Sequence, residues 1–199
     1  MPPRTTCPWI KPLDHTGRME LPVQRPPLTD GVVTLRSPNE TDLPAIRKGT
    51  ADPEVVRWIG PSEGSALQTL ELHRSRWNKG TGATFSICDP EDDCVGHVWV
   101  NLVDSRQGEV GYWLLPEARG KGLATRSVKL ISLWALRELG LLRLSLLTEP
   151  SNRPSQWVAE RSGFVKEGVL RSYKEIAGRR IDCVVFSLLP SDASSDSTR

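Results

Sequence analysis

Two glycines one residue apart, each beside a cation, stand in the run Arg119-Gly120-Lys121-Gly122-Leu123-Ala124-Thr125. A strand-like apolar stretch, Glu109 to Leu115, leads into them, and a long apolar helical pattern starts at about Gly122. A strand that feeds a glycine-rich turn into a helix N-terminus is suited to holding phosphate. The first N–H groups of the helix have no intrahelical partner, and the macrodipole favours negative charge there. Two familiar phosphate loops are excluded by single residues. A nucleoside-triphosphate loop needs Gly-x-x-x-x-Gly-Lys-Ser/Thr, but Gly122 follows Lys121 and Leu115 stands where the first glycine belongs. A dinucleotide fingerprint needs Gly-x-Gly-x-x-Gly, and its last position is Thr125.

What remains fits Arg/Gln-x-x-Gly-x-Gly/Ala, the pyrophosphate loop of the GNAT superfamily of acyl-CoA-dependent N-acyltransferases, and the chain resembles that superfamily at a second place. Asn152-Arg153-Pro154-Ser155 followed by Gly163-Phe164-Val165-Lys166-Glu167-Gly168 is similar to the superfamily's second signature in the form used by the RimJ/RimL-type branch, the ribosomal-protein N-terminal acetyltransferases and their relatives. Gly111-Tyr112-Trp113-Leu114 is also typical of that branch. The resemblance covers roughly residues 30–189, with both motifs in the right order and at the right separation.

The resemblance implies an acetyl-CoA-dependent N-acetyltransferase. The acetyl group of the co-substrate would pass to a primary amine, a protein N-terminus or a small amine, by direct attack in a ternary complex. Leu114, Leu115, Arg119, Gly120, Lys121, Gly122, Leu123, Ala124, Thr125, Asn152 and Ser155 become the candidate CoA-binding residues. Strand 109–115 is expected to splay from the strand at 142–148, so that the pantetheine arm pairs with strand backbone. An N–H near Leu114 would meet the thioester carbonyl, where negative charge develops. Pro116 cannot donate a ladder bond, which suits a strand that ends there.

The amine must lose a proton to a base or a water chain. Glu109, at the start of the splayed strand, is the first candidate. Glu175 and Asp182 lie on or near the last hairpin, which borders the acceptor site in this branch; RimL-like enzymes carry a Glu where this chain aligns Lys174, one residue from Glu175. Many members protonate the leaving thiolate with a Tyr seven residues after the motif Asn, but here that residue is Ala159. Ser155 offers a hydroxyl in its place. The catalytic candidates are thus Glu109, Ser155 and Glu175. Tyr112, Trp113 and Tyr173 are expected on the acceptor side, lined by segments near 50–62, 104–108 and 173–180, with Asp52, Glu54 and Glu63 as its acidic residues.

The elements that must position these groups follow from periodicity. Val32–Arg36 reads as a strand, then helices near 43–48, 53–59 and 64–78, the last with a stripe of Leu67, Leu70, Leu72 and Trp77. Ala83–Cys88, Val95–Val103 and Glu109–Leu115 are strands. A broad apolar stripe from Gly122 to Leu139 marks a helix buried against a sheet. A strand near 142–146, a helix near 153–162, and strands Phe164–Ser172 and Ile181–Leu189 joined through Ala177-Gly178 complete the order. The expected class is α/β with the GNAT fold: a single mixed, mostly antiparallel sheet of about seven strands, helices on both faces and a splayed central strand pair. Residues 29–189 would form this domain, after a Pro-rich arm at 1–28 with seven prolines and before a flexible tail at 190–199.

Composition limits the partners. With 26 basic and 24 acidic side chains the 199-residue chain carries a net charge of +2, and its cations are scattered, so a nucleic-acid partner is not expected. No apolar run approaches the length of a membrane span, and the N-terminus has no apolar signal core. Cys7, Cys88, Cys94 and Cys183 form no Cys-x-x-Cys pair and read as reduced thiols of a cytoplasmic protein. His15, His73 and His97 lack metal-ligand spacing, so no metal is expected. The arm could exchange between subunits of a homodimer. Two alternatives stay open: a CoA-binding sensor or scaffold that does not catalyse, and an acyltransferase for another acyl-CoA such as succinyl-CoA.

Overall fold

The computed structural model describes residues 21, 27–62 and 64–194. Cys7, His15, Glu63, nearly all of the 1–28 arm and the last five residues of the tail lie outside that set.

The order of elements is β1 (Leu28–Thr29), β2 (Thr34–Arg36), a 3-10 turn at Glu40–Asp42, α1 (Leu43–Ala51), α2 (Pro53–Ile59), α3 (Ala66–Asn78), β3 (Gly82–Cys88), β4 (Cys94–Leu102) and β5 (Gln107–Leu114). Then come α4 (Leu123–Arg137), β6 (Arg143–Thr148), α5 (Arg153–Arg161), β7 (Val165–Ile176), β8 (Arg179–Leu188) and α6 (Pro190–Ser194). The strands form one eight-stranded sheet in the order β1-β2-β3-β4-β5-β6-β8-β7. Every pair is antiparallel except β5–β6. The strand beyond the expected seven is β1, two residues paired to β2 through Leu28↔Leu35.

Alternation along β4 and β5 sends successive side chains to opposite faces. Val98, Val100 and Val110 join Val128, Ile131 and Ala135 of α4 in the main core. His97, Trp99 and Trp113 face the other way, toward α1 and α3. The Trp113 ring lies so close over Gly49 of α1 that a Cβ there would sit 2.4 Å from it. The His97 ring stands 4.9 Å from that of His73 on α3 and 5.1 Å from that of Trp113. Helices therefore cover both faces, and β4 and β5 run between them.

Three local expectations are corrected. On α3, Leu70 and Trp77 are buried, but Leu67 and Leu72 are 48% and 49% exposed. Leu72 stands about 200° round the helix from Leu70, so the apolar count overstated the buried stripe. β7 runs to Ile176 rather than Ser172, because the hairpin closes on two left-handed residues, Ala177 at φ +50° and Gly178 at φ +74°. Pro190–Ser194, placed in the tail from sequence, is a short helix whose start is held by the Asp192 carboxylate accepting the Leu189 N–H at 2.9 Å.

A buried polar cluster anchors the β2 side of the sheet. Arg36 donates to both oxygens of fully buried Asp42 at 3.0 and 2.8 Å, and Ser86 Oγ donates to the same carboxylate at 2.6 Å. Burial alone would raise the Asp42 pKa; the Arg36 and Ser86 bonds outweigh it and hold the group below its usual range.

Candidate functional site

The site begins where two strands stop pairing. β5 and β6 are in parallel register from Gln107↔Arg143 to Val110↔Leu146 and no further, although β5 continues to Leu114. Beyond Val110 the strands splay. The Leu115 N–H donates to Val95 O on β4 at 2.9 Å. Because N–H directions alternate along a strand, the Leu114 N–H is turned to the opposite edge, into the splay. A cavity of about 700 Å³ occupies this opening and reaches from the turn before α4 to the inner faces of α2 and β7.

The turn is built as its glycines require. Gly120 and Gly122 have φ of +74° and +77°, and a Cβ built on either meets nothing within 4 Å. Their lack of a side chain serves the left-handed backbone and leaves an open cradle, rather than relieving crowding. Arg126 is the first residue of α4 to bond back, to Gly122 O at 3.2 Å. The N–H groups of Leu123, Ala124 and Thr125 therefore emerge from the helix end without an intrahelical acceptor. Leu123, Ala124, Thr125, Gly120 and Gly122 all border the cavity. This combination of free N–H groups, helix dipole and open cradle fits a pyrophosphate. Two candidates do not join it. Leu115 is buried with its N–H taken by Val95, and Lys121 is exposed away from the cavity wall.

α5 supplies the second signature. The Asn152 side chain caps it, accepting the Ser155 N–H at 3.1 Å, and Pro154 occupies its first turn. Both Asn152 and Ser155 border the cavity, and α5 is tied to the phosphate turn by Ser162 Oγ donating to Thr125 O at 3.2 Å. Tyr112, expected on the acceptor side, borders the cavity together with Ser155, close enough for the two side chains to interact. Burial pushes the phenol pKa up, so at neutral pH it is a protonated donor.

On the acceptor side Glu109 opens onto the cavity with its carboxylate accepting a bond from Lys174 Nζ at 3.3 Å. Glu175 does not reach it. Lys174 and Ile176 point inward from β7, and the two-residue period turns Glu175 outward beside Arg180. Asp182 accepts the Ser172 N–H at 2.7 Å and so braces a kink in β7. Tyr173 is 52% exposed and, like the 104–108 turn, lies off the cavity wall. Trp58, within the expected 50–62 segment, borders it; sequence reasoning missed Arg76, Trp99, Asn101 and Glu149, which do so too. Trp99 lies flat against Gly111 and Arg76 donates to Asn101 Oδ1 at 3.4 Å. The signal for Trp99 and Asn101 was their position two and four residues along from His97 on the same strand face; Glu149 carried none.

Asp42, Cys94 and His97 bring ligand-type atoms within 4.8 Å of one another, although their sequence spacing gave no hint of it. Both Asp42 oxygens are already bonded, and the Arg36 guanidinium beside them opposes a cation. Burial pushes the thiols of Cys94 and Cys88 up to about 11 and about 12, and Cys88, Cys94 and Cys183 are unpaired. Among the described residues no helix is long and apolar enough to cross a membrane.

The acetyltransferase (GNAT) domain family matches residues 33–165 of the chain. An uncharacterized N-acetyltransferase, p20, of Bacillus licheniformis is 31% identical over 164 residues, spanning 79% of this chain and 92% of its own. The spermidine N(1)-acetyltransferase of Escherichia coli is 28% identical over 141 residues, 69% of this chain and 75% of its own. Among solved structures, Mycobacterium smegmatis RimJ in complex with CoA-disulfide superposes with a TM-score of 0.73 at 24% identity, covering 84% of this chain and 87% of that one.

Proposed function

The chain belongs to the GNAT acetyltransferase family, and on that premise we propose that the cavity receives acetyl-CoA along the β5–β6 splay and a primary amine from the α2–β7 side. The observation that carries this reading is the splay itself. One opening joins the free N–H groups of α4 to a hydroxyl pair and to a carboxylate. The thioester of the co-substrate supplies an activated acetyl group; the chain supplies position and proton handling.

In this reading the N–H groups of Leu123, Ala124 and Thr125 hold phosphate, and the Leu114 N–H points at the place where an oxyanion would form. Glu109 takes the proton that the attacking amine loses, with Lys174 holding its carboxylate in place. Ser155 and Tyr112 present a hydroxyl pair that donates to the departing sulfur, doing the work that Ala159 cannot. The acceptor of one relative is spermidine by its name, and the branch resemblance points to protein N-termini. The shared chemistry is a primary amine.

Titration calorimetry with acetyl-CoA, on the native chain and on Gly122→Trp, tests the reading. Micromolar binding that the substitution abolishes is expected, followed by CoA release in a screen of amines and peptides. A well-folded native chain that binds no acetyl-CoA would sink it.

A further inference from the structure

Arg119 stands first in the phosphate-loop motif, yet all three nitrogens of its guanidinium bond to groups outside the turn. Nε donates to Leu114 O at 3.1 Å, Nη1 to Glu54 Oε2 at 2.6 Å and Nη2 to Asp52 Oδ1 at 2.9 Å. These acceptors come from two separate places: the last residue of β5 and the first turn of α2. The Asp52 oxygen has two roles at once. It also accepts the N–H groups of Glu54 and Val55, each at 2.9 Å, and so caps α2. Burial works to raise the Asp52 pKa, but the Arg119 bond and the cap bonds hold it below the usual carboxylate range.

α2 is a short helix of seven residues, Pro53–Ile59, and it carries Val55, Trp58 and Ile59 onto the acceptor wall. The indole N–H of Trp58 is buried and has no hydrogen-bond partner among the described residues. Leu114 C=O, like its N–H, faces the splay edge. Arg119 therefore closes the far end of the splay and clamps it to the helix that forms the acceptor wall.

We propose that Arg119 is a positioning residue that locks α2 to the end of β5 and thereby sets the acceptor wall, rather than a phosphate contact. The proposal deepens the acetyltransferase reading and rests on it for the acceptor side. A planar fork that meets three acceptors at once is the task for which Arg and Lys differ most. Lysine should therefore not replace it.

Two measurements test this. In the first, Arg119→Gln and Asp52→Asn are made singly and together. The expected result for Arg119→Gln is an acceptor KM raised about tenfold with the acetyl-CoA Kd within about twofold. The double variant should be no worse than the poorer single, because both remove one clamp, and Arg119→Lys should behave like Arg119→Gln. An acetyl-CoA Kd weakened more than about tenfold with acceptor KM unchanged, or strictly additive effects, would overturn the clamp. In the second, amide exchange of Val55–Ile59 is followed without any substrate. It should quicken in Arg119→Gln at unchanged global melting; unchanged exchange overturns the proposal. This arm needs no turnover, so a failure of the native chain to acetylate any amine would overturn the enzyme reading while leaving the clamp to be judged by itself.

Discussion

The two ends of the cavity are built by different means. The proposed phosphate end is backbone: the left-handed Gly120 and Gly122 and the N–H groups of Leu123, Ala124 and Thr125 matter there more than side chains. The acceptor end is side chain, gathered from α2, α3, β4, β5, β7 and β8. At the first end only a glycine is specified strongly, and it is specified by a left-handed φ. At the second end two carboxylates are paired with cations: Glu54 with Arg119 and Glu109 with Lys174. A backbone site should fail through conformation and fail outright. A side-chain site should fail through the loss of one partner, and by degrees.

Gly122→Trp is the sharpest test of the backbone end and carries the largest expected effect. A non-glycine residue held at φ +77° is strained by about 1–2 kcal/mol, and the indole fills the cradle. Acetyl-CoA binding should weaken at least ~100-fold by calorimetry, while the melting temperature falls by only a few degrees. If Gly122→Trp binds acetyl-CoA normally, phosphate is not held by this backbone and the contrast between the ends collapses.

The acceptor end should respond by smaller steps. Glu109→Gln keeps the shape and removes the proposed base, so kcat should fall about 100-fold with the acetyl-CoA Kd unchanged. Glu149→Gln, at another carboxylate on the cavity wall, should change kcat less than about threefold; the reverse ranking would move the base to Glu149. Ser155→Ala and Tyr112→Phe should each lower kcat about tenfold, and the double variant should fall little further because the hydroxyls act as a pair. Independent, multiplying losses would show that the two do not share one proton.

Beneath the acceptor end lie His97 and His73, which burial holds neutral down to about 3 and about 4. In the unfolded chain both titrate near 6.5. Between those values the unfolded state binds protons that the folded state does not, so stability is full at neutral pH and is lost as pH falls toward 4. Charged neighbours modify this: Arg36 and Arg76 oppose histidine protonation, and Asp42 favours it at His97. Melting followed from pH 7 to pH 4.5 should show a loss of roughly 3–5 kcal/mol, and His97→Phe should flatten the slope. A slope unchanged in that variant would place the acid sensitivity elsewhere.

The same contrast explains what could be read before the fold was known. The turn, the α4 N-terminus and the Asn152 cap are local, and their spacing in sequence is their spacing in space. Periodicity placed most of the strands for the same reason, and it failed on α3, where Leu72 is apolar without being buried. The Arg119 clamp spans 65 and 67 residues, and the meeting of His73 with His97 depends on α3 crossing β4. Neither leaves a trace in any short window. Tyr112 sits between these cases. Its place on β5 was legible, but which face it took was not, because that is fixed by the pairing of β5 with β4.

The smallest effect sharpens the comparison most closely, because it separates two neighbours. Lys174 and Glu175 differ by one residue, and so by one face of β7. Lys174→Met removes the bond that fixes the Glu109 carboxylate and places an uncharged chain on the cavity wall, so the acceptor KM should shift about threefold to tenfold. Glu175→Gln touches only the outer face, opposite Arg180, and should leave kcat and both KM values within about twofold. A Glu175→Gln variant that lost most of its turnover would mean that β7 adopts the other register when the amine binds. The carboxylate would then belong to the acceptor site after all, and the bulges after Lys166 and Leu170 would be the places where the strand could slip.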